Sequence, residues 1–95
     1  MNLAKFKSEL KERGLLEHVT QSCQGSAITL NDLFQSQSPP APACRARLYR
    51  WLRDDKGYAL ARIGRLFNRS HSTVIYALER LEASDAVRSD TGTND

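Results

Sequence analysis

Residues 60–81, L-A-R-I-G-R-L-F-N-R-S-H-S-T-V-I-Y-A-L-E-R-L, constrain the fold of this 95-residue chain more than any other stretch. Apolar residues fall at Leu60, Ile63 and Phe67, then again at Val74, Ala77, Leu78 and Leu81. The second set has the i, i+3, i+4, i+7 spacing of an amphipathic helix. Between the two patterns stands only Asn68-Arg69-Ser70, room for a tight turn and nothing else. Asparagine tolerates the left-handed conformation that ends a helix. Serine is a good N-cap for the next one, because its hydroxyl accepts a hydrogen bond from a free backbone N–H of the first turn. The expected local structure is a helix, a turn and a helix.

The second helix would open on Ser70, His71, Ser72 and Thr73 and carry arginine around it. Short polar side chains on the first turn of such a helix suit the edges of base pairs in a DNA major groove. The residues go further than the generic pattern. Leu60-Ala61-Arg62-Ile63-Gly64, followed by Phe67-Asn68-Arg69-Ser70-His71-Ser72-Thr73-Val74-Ile75-Tyr76-Ala77, closely resembles the C-terminal DNA-binding domain (domain IV) of the bacterial chromosomal replication initiator DnaA, a Trp-repressor-like helix-turn-helix. That family reads L-P-E-I-G, a short helix, and G-R-D-H-T/S-T-V-hydrophobic-H-A. The resemblance covers residues 15–83, with residues 1–14 as a helix ahead of it and 84–95 as a polar, disordered tail.

By this resemblance, His71 and Thr73 would contact base edges or thymine methyl groups, and Ser72 and Arg69 would reach bases or phosphates. The family also has a basic loop of the form Arg-Pro-Arg, one arginine of which enters the minor groove, where a narrow A·T-rich stretch concentrates negative potential. Here the chain reads Cys44-Arg45-Ala46-Arg47, and either Arg45 or Arg47 fits that role. Lys56 and Arg80 match basic positions of the family. Arg50 and Arg62 add charge near the helix that begins at about Ala59, whose free N–H groups suit a phosphate. Each of these cations, taken singly, also reads as an ordinary surface charge. The clearest departure is Ser70, where the family has aspartate. A carboxylate accepts from a cytosine amino group and rejects other acceptors, whereas serine can donate or accept and discriminates less.

Charge supports this placement. Residues 41–80 hold nine basic and three acidic side chains, and eight of the nine are arginine. Residues 1–40 balance four against four, and 81–95 are net negative. Arginine suits phosphates and base edges better than lysine does, because its planar fork bonds two oxygens at once.

The remaining pattern predicts an all-α bundle of about five to six helices, with one domain and one core. Leu3, Phe6 and Leu10 mark a first helix closed near Gly14. Leu15, Leu16, Val19 and Cys23 mark a second, closed by Gly25, or a continuation of the first as one bent helix. Thr29 and Asp32 form a capping-box pair, with Ile28 and Leu33 at staple positions. After the loop Ser36-Gln37-Ser38-Pro39-Pro40, a basic helix runs over about 42–56 with an apolar stripe of Cys44, Leu48, Trp51 and Leu52, closed by Gly57. Gly64 is expected to let the helices of the turn motif approach closely.

Several functions are disfavoured. There is no G-x-x-x-x-G-K-[ST] loop, so the initiator's ATPase is absent from these residues. His18 and His71 belong to no catalytic pattern, and Cys23 and Cys44 have no metal-ligand spacing. The expected protein is a cytoplasmic, non-enzymatic module without cofactor or metal. It would bind double-stranded DNA as a monomer, since no heptad seam suggests a dimer. The alternative is a protein-interaction module that keeps the fold without reading bases. Abundant arginine favours the first.

Overall fold

The computed structural model describes the backbone of residues 2–94 and the side chains of residues 2–84. The expectation of a disordered tail over 84–95 falls almost wholly outside the described side chains. Among the described residues there are six α-helices and no strand: α1 (Leu3–Glu12), α2 (Leu16–Gly25), α3 (Leu30–Gln35), α4 (Ala41–Asp54), α5 (Leu60–Leu66) and α6 (His71–Asn94). The fold is the all-α bundle expected from the apolar spacing.

The boundaries follow from local chemistry. Asn2 caps α1, its side chain accepting from the Lys5 amide at 2.9 Å. Gly14, at φ +72°, turns the chain between α1 and α2, so these are two helices and not one bent helix. The Thr29–Asp32 capping box is present in both directions. The Asp32 amide donates to Thr29 Oγ1 at 3.0 Å, and the Thr29 amide donates to the Asp32 carboxylate at 3.1 Å. Gly57 leaves α4 at φ +70°.

One turn is unexpected. The residue in the left-handed region after α2 is Ala27, at φ +57°, not Gly25. An L residue with a Cβ is strained there by about 1–2 kcal/mol. Glycine removes that strain but also loosens the unfolded chain, which opposes it by about 0.4–1 kcal/mol. Ala27→Gly is therefore expected to stabilise the protein by about 0.5–1 kcal/mol. Urea unfolding with an unchanged slope and a raised midpoint would show it; a lowered midpoint would contradict it.

α4 is the hub, packing against α2, α3, α5 and α6. Phe6 of α1 is wholly buried and stacks on Phe34 at 4.8 Å between ring centres, with Phe67 at 5.2 Å. Tyr49 meets Phe67 edge to face at 5.0 Å. The N-terminal helix thus belongs to the same core as the turn motif, and Phe67, at the end of α5, is pinned from both sides. Trp51 is only half-buried. It lies over the core's edge with His18 stacked flat on it at 3.7 Å and Lys56 at 5.5 Å from its ring. The two cysteines are buried and form no disulfide, and burial pushes the Cys23 thiol up to about 11.

Candidate nucleic-acid interface

α5, residues 67–70 and α6 form the helix, turn and helix read from the sequence. Asn68 takes the left-handed conformation, φ +56°. The Arg69 amide then donates to the Gly64 carbonyl at 2.8 Å, closing the turn. A Cβ on Gly64 would stand 2.8 Å from the Arg69 carbonyl oxygen, so no larger residue fits this approach. The packing role expected for Gly64 is met by a backbone contact.

Ser70 caps α6. Its Oγ accepts from the Thr73 amide at 3.1 Å and shares a second hydrogen bond with Thr73 Oγ1 at 2.8 Å. Two of the candidate reading residues are therefore coupled to each other and to the backbone of the first turn. His71, Ser72 and Thr73 are exposed, while Val74 and Leu78 of the same helix are buried in the core. A capped first turn presenting exposed short polar side chains is what a base-reading turn needs. Arg80 is exposed and lies 5.7 Å from the ring of Tyr76.

Arg45 requires a correction. It is 5% exposed, and its Nη1 donates to the Leu33 carbonyl at 2.7 Å and the Ser36 carbonyl at 3.1 Å. These carbonyls lie at the C-terminal end of α3, where helix carbonyls lack partners and the dipole favours a cation. Burial pushes the Arg45 guanidinium down from its ordinary value. Arg45 is a structural bolt between α3 and α4 and cannot enter a minor groove. The sequence carried the signal: Ala41, Arg45, Leu48, Tyr49 and Leu52 share one helical stripe. Arg47 is exposed, with one hydrogen bond from its Nη2 to Ser26 Oγ at 3.2 Å, and is the arginine of this pair left at the surface.

Arg69 divides its side chain. Its Nη2 donates to the Phe34 carbonyl at 2.8 Å, one residue from the Arg45 bond, and the rest of the half-buried side chain lines a surface groove. Near Arg45 and Arg69 the buried Tyr49 hydroxyl has no hydrogen-bond partner among the described residues. Burial raises its pKa, and the two guanidinium charges pull against that rise. The turn motif is thus tied to α3 by arginine as well as by packing.

The other candidate cations stay at or near the surface. Arg62 lies 4.2 Å from the ring of Tyr58, Lys56 is exposed beside Trp51, and Arg50 is half-buried on α4. Next to Arg50, Arg53 holds the Asp54 carboxyl below its usual range and reaches Glu82 of α6 at 3.0 Å.

Sequence reasoning passed over two surface features. Tyr76, 62% exposed, is the large apolar side chain most open to solvent, one turn beyond Ser72 on the unburied face of α6. It stands off the Val74–Leu78–Leu81 stripe, which marked it as a surface residue. The second is the groove itself. It has a volume of about 780 Å³ and lies between α1 and the turn, with Lys5, Arg13, Arg62, Arg65, Arg69 and Ser70 among its lining residues. Lys5 and Arg13 are separated from the motif by more than 45 residues, so linear spacing could not join them to it.

Among the described residues no helix is long and apolar enough to cross a membrane, and no group of histidine, cysteine or carboxylate side chains is arranged to hold a metal ion. No protein-family model, curated protein or solved structure matches the chain.

Proposed function

We propose that this chain is a sequence-specific double-stranded DNA-binding module of the DnaA domain IV type. It acts in the cytoplasm as a small regulator or replication-related protein, without ATPase chemistry, and binds as a monomer on an asymmetric site. The observation that carries the reading is the first turn of α6. There His71, Ser72 and Thr73 are exposed at the surface on a backbone held by the Ser70 cap and the Gly64–Arg69 contact. Arg47, Arg62, Arg69 and Lys56 supply positive charge at the surface, with Arg80 further along α6.

Selection of bound duplexes from a random pool, followed by a salt titration, tests the reading. An enriched asymmetric A·T-rich box is expected, with affinity falling steeply as salt rises. On that box His71→Ala and Thr73→Ala are each expected to cost about 1–3 kcal/mol, with little loss on random DNA. Arg62→Ala and Lys56→Ala should weaken both equally, because phosphates carry no sequence. No enriched sequence, or equal losses for all four variants on both DNAs, would point instead to a fold used for binding protein. Sedimentation of the complex distinguishes one copy per site from a two-fold dimer on a palindrome.

Ser70 adds a sharper test. Aspartate can also accept from the Thr73 amide, so Ser70→Asp should leave stability within about 0.5 kcal/mol. It should sharpen preference for cytosine at one position and weaken binding to random DNA through its negative charge. Identical base preferences at every position of the site would reduce Ser70 to a cap.

A further inference from the structure

We infer that the basic groove between α1 and α5 seats the phosphate backbone of the same duplex, beside the base pairs presented to α6, with Lys5 and Arg65 as its contact residues. The inference rests on the DNA reading proposed above and extends the binding surface to the N-terminal helix, which lies outside the stretch resembling the initiator family.

The argument starts from charge. Lys5 and Arg13 on one wall face Arg62, Arg65 and Arg69 on the other. The acidic side chain lining the groove is Glu9, and Arg13 holds it at 3.3 Å. Lys5 and Arg65 are exposed, and neither has a salt-bridge partner among the described residues. Arg62 and Arg65 are three apart on one helix, where like charges repel. Cations gathered this way raise one another's energy until an anion enters, so a line of phosphates is the complementary partner.

Position gives the second argument. Ser70 both lines the groove and caps α6, so the groove adjoins the proposed reading turn. A major groove is about 12 Å wide and is flanked on each side by a phosphate backbone. With the first turn of α6 at the base edges, one flanking strand passes the mouth of this groove. The packing of Phe6 against Phe34 and Phe67 fixes α1 to the turn motif, so Lys5 is held at a set distance from the DNA rather than carried on a loose arm.

The test uses the full chain and two duplexes. One ends at the selected site, and the other extends about one helical turn (about 10 bp) beyond it at each end. On the longer duplex, Lys5→Ala/Arg65→Ala is expected to lower the salt slope by about 2, since each phosphate contact contributes about 0.9. The drop in affinity between 50 and 200 mM salt then becomes roughly tenfold smaller. On the shorter duplex, which keeps the strand flanking the read base pairs, the variant should lose a similar part of its slope. Lys7→Ala, an exposed α1 lysine that does not line the groove, should match the parent on both. Equal slopes for variant and parent on the longer duplex, with sequence preference intact, overturn the groove and leave the α6 reading standing. An equal effect of Lys7→Ala also overturns it, because it reports a diffuse field rather than a seated strand. Failure of the parent to bind any duplex removes both readings together.

Discussion

Gly64→Ala is expected to destabilise the protein by about 2–3 kcal/mol and to remove sequence-specific binding with it. Helix propensity alone argues the other way, since alanine is better than glycine inside a helix by about 0.8–1 kcal/mol. The steric contribution is larger. The new Cβ would lie 2.8 Å from the Arg69 carbonyl oxygen, with Ser70 backbone atoms at 3.5 Å. A backbone oxygen cannot rotate aside as a side chain can, so the turn must move. Overpacking of this kind costs about 1–3 kcal/mol. The Arg69–Gly64 hydrogen bond across the same contact, worth about 1 kcal/mol, is lost as well. For a domain of this size the net change corresponds to a melting temperature lower by about 10–20 °C. Because the displaced atoms lead directly into the Ser70 cap, binding should suffer even well below the melting point. A variant that melts within a few degrees of the parent would show that the turn relaxes without cost.

Arg45→Ala is expected to cost about 3 kcal/mol of stability. Two carbonyls at the end of α3 lose their donor, each worth about 1–3 kcal/mol when left buried and unsatisfied. The apolar stem of the side chain leaves a gap in the α4 stripe. Release of a buried charge back to water offsets part of this. Arg45→Met keeps the stem and removes the donors, so it should recover some of the loss but not all. Arg47→Ala should behave oppositely: stability within about 0.5–1 kcal/mol, because its single bond to Ser26 is exposed, and weaker DNA binding. Denaturant unfolding and DNA titration of the three variants decide between bolt and reader. An Arg45→Ala protein of parental stability that has lost DNA affinity would return Arg45 to the interface.

These expectations differ for two arginines only two positions apart, and the difference lies in tertiary structure. On sequence, Arg45 and Arg47 were equivalent cations beside a proline loop. Helical geometry puts one on the stripe that faces α3 and the other on the opposite side, and α3 happens to end where Arg45 can satisfy its carbonyls. Arg69 was read as a DNA contact and is in part the same kind of bolt, because the Phe34 carbonyl lies within 2.8 Å of it.

What the residues determined by themselves was the set of local decisions. The all-helical pattern, the Thr29–Asp32 box, the left-handed Asn68, the Ser70 cap and the closeness required at Gly64 each depend on atoms within a few positions of one another. Short-range sterics and hydrogen bonds are written in the residue order. What only the tertiary structure decided was which distant groups meet. Phe6 reaches Phe67, Lys5 comes to face Arg62 and Arg65, His18 lies on Trp51, and Arg45 finds the end of α3. Such encounters depend on how the six helices pack together with α4 as their hub, and packing is a property of surfaces brought together across the chain, which no local spacing encodes.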